Sequence, residues 1–172
     1  MGVHFTVTAD HDLRDTSLDA VRGCFTPLEP LFLEISTRRQ AGPDRWQNVT
    51  EPGNAQPNHF YAPAGFSVFI GPAALTFHHG TRFEMFIEAA SERELLRRFS
   101  RHLASLFGQQ RALYAPCEGA GDVIRDLVID GCSLAEIEAR LHERSSPPTT
   151  IEELADRSWP ELRYYFDEFD GC

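Results

Sequence analysis

Histidine and cysteine are the residues of this sequence best suited to chemistry, since both bind metals and both take part in proton transfer or nucleophilic attack. His78 and His79 are adjacent in AALTFHH, a segment that alternates as a strand does. Successive side chains of a strand point to opposite faces, so these two imidazoles cannot share one ion. The folded chain could bring His59, His102 and Cys117 together, but no H-x-x-x-H or C-x-x-C spacing supports a site. The sequence therefore predicts no metal and no cofactor.

Motifs for other chemistry are also missing. The sequence has no G-x-S-x-G turn for a nucleophilic serine. Glu84 and Glu88, on one side of a predicted strand, are about 13 Å apart, too far for the paired carboxylates of a glycosidase. The glycines of GAGD (119–122) precede a helix, but Glu118 and Asp122 would repel a phosphate there. No catalytic residue is predicted.

Apolar alternation in the first two thirds predicts strands. The predicted strands are residues 3–9, 31–37, a meander over 66–89 with turns at Gly71-Pro72 and Gly80, and 112–115. The strand over 3–9 is expected to bury one face. A short helix is expected after Asp15 or Ser17 as its cap. A long helix follows over 91–107, with Ser91 and Glu94 as a capping box and arginines on its outer side.

The last third reads as helical. Helices are predicted from Asp122, from Ser133 with Glu136 as a capping box, from Thr150 and from Ser158, the last with Leu162, Tyr165, Phe166 and Phe169 on one face. The outward face of this last helix is expected to present Tyr164, Asp167, Glu168 and Asp170. The predicted class is α+β: a mainly antiparallel sheet with one long packed helix, followed by an acidic all-helical C-terminal portion that shares the core. We expect one domain over 1–172, sheet-rich in 1–117 and helical in 118–172.

A long segment, residues 39–65, is rich in Gly, Pro and Asn and is predicted to be a loop with a short edge strand at 46–49. It carries Trp46 and Tyr61. Aromatic residues are enriched at interfaces, which makes these two candidate contact residues. The alternative is that they hold the loop to its own domain.

Charge is distributed very unevenly. Residues 1–117 hold 12 acids and 11 arginines, whereas residues 118–172 hold 14 acids and 5 arginines, so nearly all of the net charge of −10 lies in the last third. Such a surface repels nucleic acid and attracts basic proteins. The stretch IRDLVIDGCSLAEIEARL is similar to the turn and second helix of helix-turn-helix domains, but its second helix has no basic face to meet phosphates.

The expected location is the cytoplasm. The N-terminus MGVHFTVTAD shows no signal peptide, and no apolar run approaches the ~20 residues of a membrane span. The cysteines are scattered and are expected to be reduced thiols. They are Cys24, Cys117, Cys132 and Cys172.

Size, charge and missing motifs together favour a non-catalytic acidic protein that binds a basic protein. In type this is similar to bacterial immunity proteins, which cover the cationic active site of a cognate toxin or effector domain. The candidate partner-binding residues are Trp46, Tyr61, Glu152, Glu153, Asp156, Trp159, Tyr164, Asp167, Glu168 and Asp170. Two alternatives stay open: an enzyme whose site combines His78, Glu84 and the 91–107 helix, and a self-associating regulatory subunit.

Overall fold

A computed structural model describes residues 3–38, 45–50, 58–144, 146–155 and 163–170. The strands are β1 (His4–Asp10), β2 (Gln47–Asn48), β3 (His59–Ala62), β4 (Phe66–Ile70), β5 (Ala74–Arg82), β6 (Arg111–Pro116) and β7 (Tyr165–Glu168). The α-helices are α1 (Leu18–Cys24), α2 (Glu29–Arg38), α3 (Phe83–Glu88), α4 (Ala90–Ser105), α5 (Ala120–Ile129) and α6 (Leu134–His142). Short 3-10 helices are Thr26–Leu28, Pro63–Gly65 and Glu152–Leu154. Across the described ranges, no helix is both long and apolar enough to span a membrane.

One antiparallel sheet holds the seven described strands, in the order β2-β3-β4-β5-β1-β6-β7. The predicted mixed α+β class with an antiparallel sheet is therefore confirmed. β1 lies inside the sheet, between β5 and β6. Its apolar residues Phe5 and Val7 are buried on one face, and Thr6 and Thr8 are buried on the other. The prediction that β1 buries only one face is wrong, because helices cover both faces of the sheet.

Two helical layers cover the sheet. One face packs against α1 to α4 through a core rich in phenylalanine, in which Phe99 of α4 contacts Phe66 and Phe77. The opposite face packs against α5 and α6 through a smaller core that includes Leu113 and Ala115 of β6. Both cores are thus built on the same strands.

The long helix α4 buries the predicted apolar stripe, which includes Leu95, Phe99 and Leu103. Its start differs from the prediction. Ala89 is the N-cap residue and makes no side-chain cap bond, so Ser91 and Glu94 do not form a capping box. The Ser133–Glu136 capping box of α6 is confirmed.

Two predicted strands are helices. Residues 31–37 lie in α2, where Phe32 and Ile35 are buried and Leu33 is 67% exposed. In the meander, β5 continues through Gly80 to Arg82, and α3 follows with Phe83, Phe86 and Ile87 buried. These i, i+3 and i+4 positions share one face of a helix. A short run with many apolar residues can fit this helical spacing and the alternation of a strand at the same time, so the sequence pattern did not distinguish them.

The C-terminal portion is not all helical. Residues 165–168 form β7, in which Tyr165 pairs with Tyr114 and Phe166 with Leu113 of β6. Because aromatic residues lie on both faces of this strand, their positions also fit the i, i+3, i+4 spacing of a helix, and the sequence pattern predicted a helix here. The predicted start of a helix at Ser158 lies outside the described residues, and so do 39–44 and 51–57 of the predicted loop. The edge strand expected at 46–49 is confirmed as β2.

Candidate functional site

The arginines of α4 meet acids of the C-terminal segment. Arg97 and Arg101 succeed one another by one helical turn, and both donate hydrogen bonds to the carboxylate of Asp167, with closest distances of 2.7 and 3.1 Å. The hydroxyl of Tyr114 donates a third bond of 2.7 Å to the same group. Asp167 is 1% exposed. The prediction that Asp167 lies on an outward acidic face is therefore wrong.

This buried network sets the ionisation of its members. Burial alone would raise the pKa of Asp167, but the hydrogen bonds from Arg97, Arg101 and Tyr114 outweigh it and hold the pKa below its usual value. Burial and the adjacent carboxylate raise the pKa of Tyr114 well above its usual value. At neutral pH Tyr114 is thus a protonated donor to an ionised Asp167.

Other predicted acids remain at the surface. Glu152 forms an ion pair of 3.1 Å with Arg93, and Glu168 forms one of 3.3 Å with Arg111. Glu153 accepts hydrogen bonds from the backbone and hydroxyl of Thr149. The exposed acids among the predicted contact residues are Glu152, Glu153, Glu168 and Asp170. Asp156 and Trp159 lie outside the described residues.

The predicted aromatic contacts lie closer to the interior than expected. Trp46 is half-buried and stacks on Phe25 with ring centroids 5.4 Å apart. This favours the alternative in which Trp46 holds the loop to its own domain. Tyr61 is half-buried in β3. Tyr164 is fully buried beside Phe166, so its predicted place on an exposed face is wrong.

A different acidic surface is formed by exposed residues of α5 and α6. Residues 120–144 contain six acids and three arginines. Ile129 of α5 is 43% exposed, and its neighbours Asp126 and Asp130 are exposed as well. Arg125 pairs with Asp122 at 3.0 Å and lies 3.9 Å from Asp126, so its positive charge is balanced by acids of this surface. We call Asp126, Ile129 and Asp130 the α5 patch.

Beside the α5 patch, a cleft of about 430 Å³ opens between α5 and the sheet. The strands contribute polar side chains to it, and α5 contributes Arg125, Asp126 and Ile129. The sheet residues that line it include Thr6, His59, Ser67, Thr76, His78 and Cys117. This face of the sheet is more polar than the opposite one, which carries the phenylalanine-rich core.

Strand register brings three ligand-type side chains together at one end of this cleft. Thr6 of β1 is opposite His78 of β5, and Phe5 is opposite Pro116 of β6. His4 therefore falls next to Cys117 and diagonal to His78, on the same face of the sheet. Ligand atoms of His4, His78 and Cys117 all lie within 4.8 Å of one another, and the three side chains are half-buried.

The His78 imidazole is neutral at pH 7. Burial, together with the nearby rings of His4 and His59, lowers the pKa of His78 to about 4. A neutral imidazole has a lone pair on one ring nitrogen, which accepts a proton or binds a metal.

The site expected around His78, Glu84 and the 91–107 helix does not assemble. α4 packs on the phenylalanine-rich face, whereas His78 lines the cleft on the opposite face. Glu84 instead lies 3.8 Å from Arg163. The adjacent His79 is buried with α4 and bonds Thr81 and the Ala64 carbonyl, so the expected opposite orientation of His78 and His79 is confirmed.

Sequence reasoning missed His4 as a partner of His78 and Cys117. The available signal was the alternation of side chains along a strand: His4 and Thr6 share a face of β1, and Cys117 follows β6 directly. Alternation along a strand does not show which strands are neighbours in the sheet.

A scan of family models and searches of curated proteins and of solved structures find no match to this chain.

Proposed function

We propose that this protein is a non-catalytic binding protein whose acidic surface covers a basic surface of another protein. The task is similar in type to that of an immunity protein that neutralises a cognate toxin. The supporting observation is the α5 patch, an exposed isoleucine between two exposed carboxylates in the acidic third of the chain.

The composition of the α5 patch suits such an interface. Protein interfaces combine a buried apolar centre with a polar rim, and Ile129 with Asp126 and Asp130 has this arrangement. The net charge of −10 would speed encounter with a cationic partner and discourage association with nucleic acid.

The C-terminal acids contribute less than the sequence indicated. Asp167 is bound by the arginines of α4, and Glu152 and Glu168 each pair with an arginine of the same chain. Some C-terminal acids are therefore already paired with arginines of this chain and have less charge to offer a partner protein. Glu153 and Asp170 are the acids of that segment that we retain as secondary contact residues.

The test uses the product of the reading frame next to the gene for this chain as the probe. Its binding is measured by surface plasmon resonance at low and at physiological salt. We expect a complex whose association rate falls as salt rises, and a drop of about tenfold or more in that rate for the double variant Asp126→Arg with Asp130→Arg.

A matched control separates a specific patch from total charge. Glu88 and Glu94 are exposed residues of α3 and α4, the helical layer on the opposite side of the sheet. Glu88→Arg with Glu94→Arg makes the same change in net charge and is expected to leave the association rate within about twofold. Absence of a complex, or an equal loss in both double variants, would contradict the proposal.

A further inference from the structure

We infer that His4, His78 and Cys117 form a binding site for a divalent transition metal of the Zn²⁺ class. This inference goes beyond the proposed function, because all three ligands belong to this chain: His78 and Cys117 line the cleft, and His4 lies beside them. His78 lies in β5, His4 lies in β1, and Cys117 directly follows β6. These three strands are neighbours in the sheet order β5-β1-β6.

The separation of the ligand atoms fits a metal centre after a small adjustment. Tetrahedral zinc with bonds near 2.0–2.3 Å places its ligand atoms about 3.6 Å apart. The three atoms here lie within 4.8 Å of one another, so each must move by about 1 Å or less. The rings of His4 and His78 are inclined at 63° with centroids 5.5 Å apart, and rotation about their side-chain bonds can supply this movement.

The backbone holds two of the ligands in register. The amide of Cys117 donates a 2.7 Å bond to the carbonyl of His4, and the amide of His4 donates a 3.2 Å bond to the sulfur of Cys117. These two bonds fix the Cys117 sulfur beside the backbone of His4. The pairing of β1 with β5 is irregular between His4 and Phe5, and such irregularities re-aim side chains at functional sites.

The donor set selects the class of metal. One thiolate and two imidazoles suit zinc, cobalt or copper, whereas magnesium and calcium require oxygen ligands. Three protein ligands leave a fourth position, as in zinc sites that keep a water or substrate bound. The adjoining cleft, with the hydroxyls of Thr6, Ser67 and Thr76, has room for such a molecule.

The test uses untagged full-length protein freed of metal with a chelator and titrated with Co²⁺, which reports thiolate coordination by absorbance. We expect saturation at one equivalent with a sulfur-to-cobalt charge-transfer band, and displacement of the cobalt by Zn²⁺. Cys117→Ser should abolish the band. Cys117→Ser and His78→Asn should each lower the affinity by more than about 100-fold, the upper end of the loss typical of an outer-shell partner.

Matched controls come from the same residue types outside the cleft. Cys132→Ser, at a half-buried position, and His102→Asn, at an exposed one, should keep wild-type affinity and spectrum. A second measurement needs no variant: Zn²⁺ should protect Cys117 from iodoacetamide in the wild-type protein while Cys132 reacts as before. Absence of saturable binding, a cobalt spectrum without the sulfur band, unprotected Cys117, or equal loss in the controls would overturn the inference.

Discussion

At the scale of single residues, Asp167 shows how acids that lie within three positions of one another serve different purposes. Asp167, Glu168 and Asp170 are equivalent by composition, but only Asp167 is buried, with Arg97, Arg101 and Tyr114 as donors. A reversal of all three acids would place an arginine against two arginines in the interior. Any loss of binding in that variant would then report unfolding, so Asp167 must be tested on its own.

Replacing Asp167 with alanine is expected to destabilise the protein by about 2–4 kcal/mol, because a buried hydroxyl and two guanidinium groups lose their acceptor. The control is Glu168→Ala. Glu168 is adjacent but exposed, and its loss should cost less than about 1 kcal/mol. Urea unfolding measures both values. Equal effects of the two substitutions would show that the Asp167 network contributes no special stability.

The stabilisation from Asp167 should depend on pH in the acid range. Its pKa is lower in the folded protein than the ordinary value of 3.8. The folded state therefore favours the ionised form, and this contribution is complete above about pH 4 and is lost as the pH falls through the lowered pKa. The difference in unfolding free energy between wild type and Asp167→Asn should shrink below about pH 4. A constant difference down to about pH 2 would contradict this assignment.

At the scale of elements, the close approach of α5 to the sheet explains two glycines. A Cβ atom on Gly121 would lie 1.9 Å from the carbonyl oxygen of Pro116, and one on Gly71 would lie 2.2 Å from that of Val128. Gly119, the other glycine of GAGD, is the N-cap of α5 and has a positive φ of 67°, a conformation that favours glycine. The two glycines thus have a conformational and a steric role, which agrees with the absence of a phosphate-loop pattern.

Gly121→Ala is expected to destabilise the protein by about 1–3 kcal/mol, because α5 must move away from β6 to admit the methyl group. Gly23→Ala is the matched control. Gly23 lies in α1, and a methyl group added there would meet no atom within 4 Å, so alanine should be neutral or stabilising by up to about 1 kcal/mol. Thermal unfolding of both variants checks the prediction. The prediction is contradicted if Gly121→Ala has the same unfolding temperature as the wild type.

At the scale of the whole molecule, a single sheet joins two hydrophobic cores. Strand β6 contributes to both: Tyr114 belongs to the first core, and Leu113 and Ala115 belong to the second. If either helical layer unfolded, it would expose one face of the sheet against which the other layer packs. This arrangement favours the expectation of one domain over 1–172.

We therefore expect both cores to unfold in one transition. Trp46 reports on the first core, and Cys132 packs against the second. In a variant with Trp159→Phe and serine at the other cysteines, urea curves from Trp46 fluorescence and from Cys132 thiol reactivity should have the same midpoint. Two separated midpoints would indicate that the acidic layer is an independent unit.

The sequence by itself determined the properties that depend on neighbours in the chain. Alternation predicted β1, β4 and the start of β5, the Ser133–Glu136 pair predicted the start of α6, and the residue counts established the charge asymmetry. It failed at α2 and β7, because the apolar residues of these short segments fit both the alternation of a strand and the spacing of a helix.

Only the tertiary structure decided which distant residues meet. The register of β5, β1 and β6 brings His4, His78 and Cys117 together, and the pairing of β7 with β6 carries Asp167 to the arginines of α4. Both sites join residues that are far apart in the chain, whose contact depends on strand order and on burial. Neither quantity is encoded in local spacing, so the candidate metal site and the internal ion network emerge only once the chain is folded.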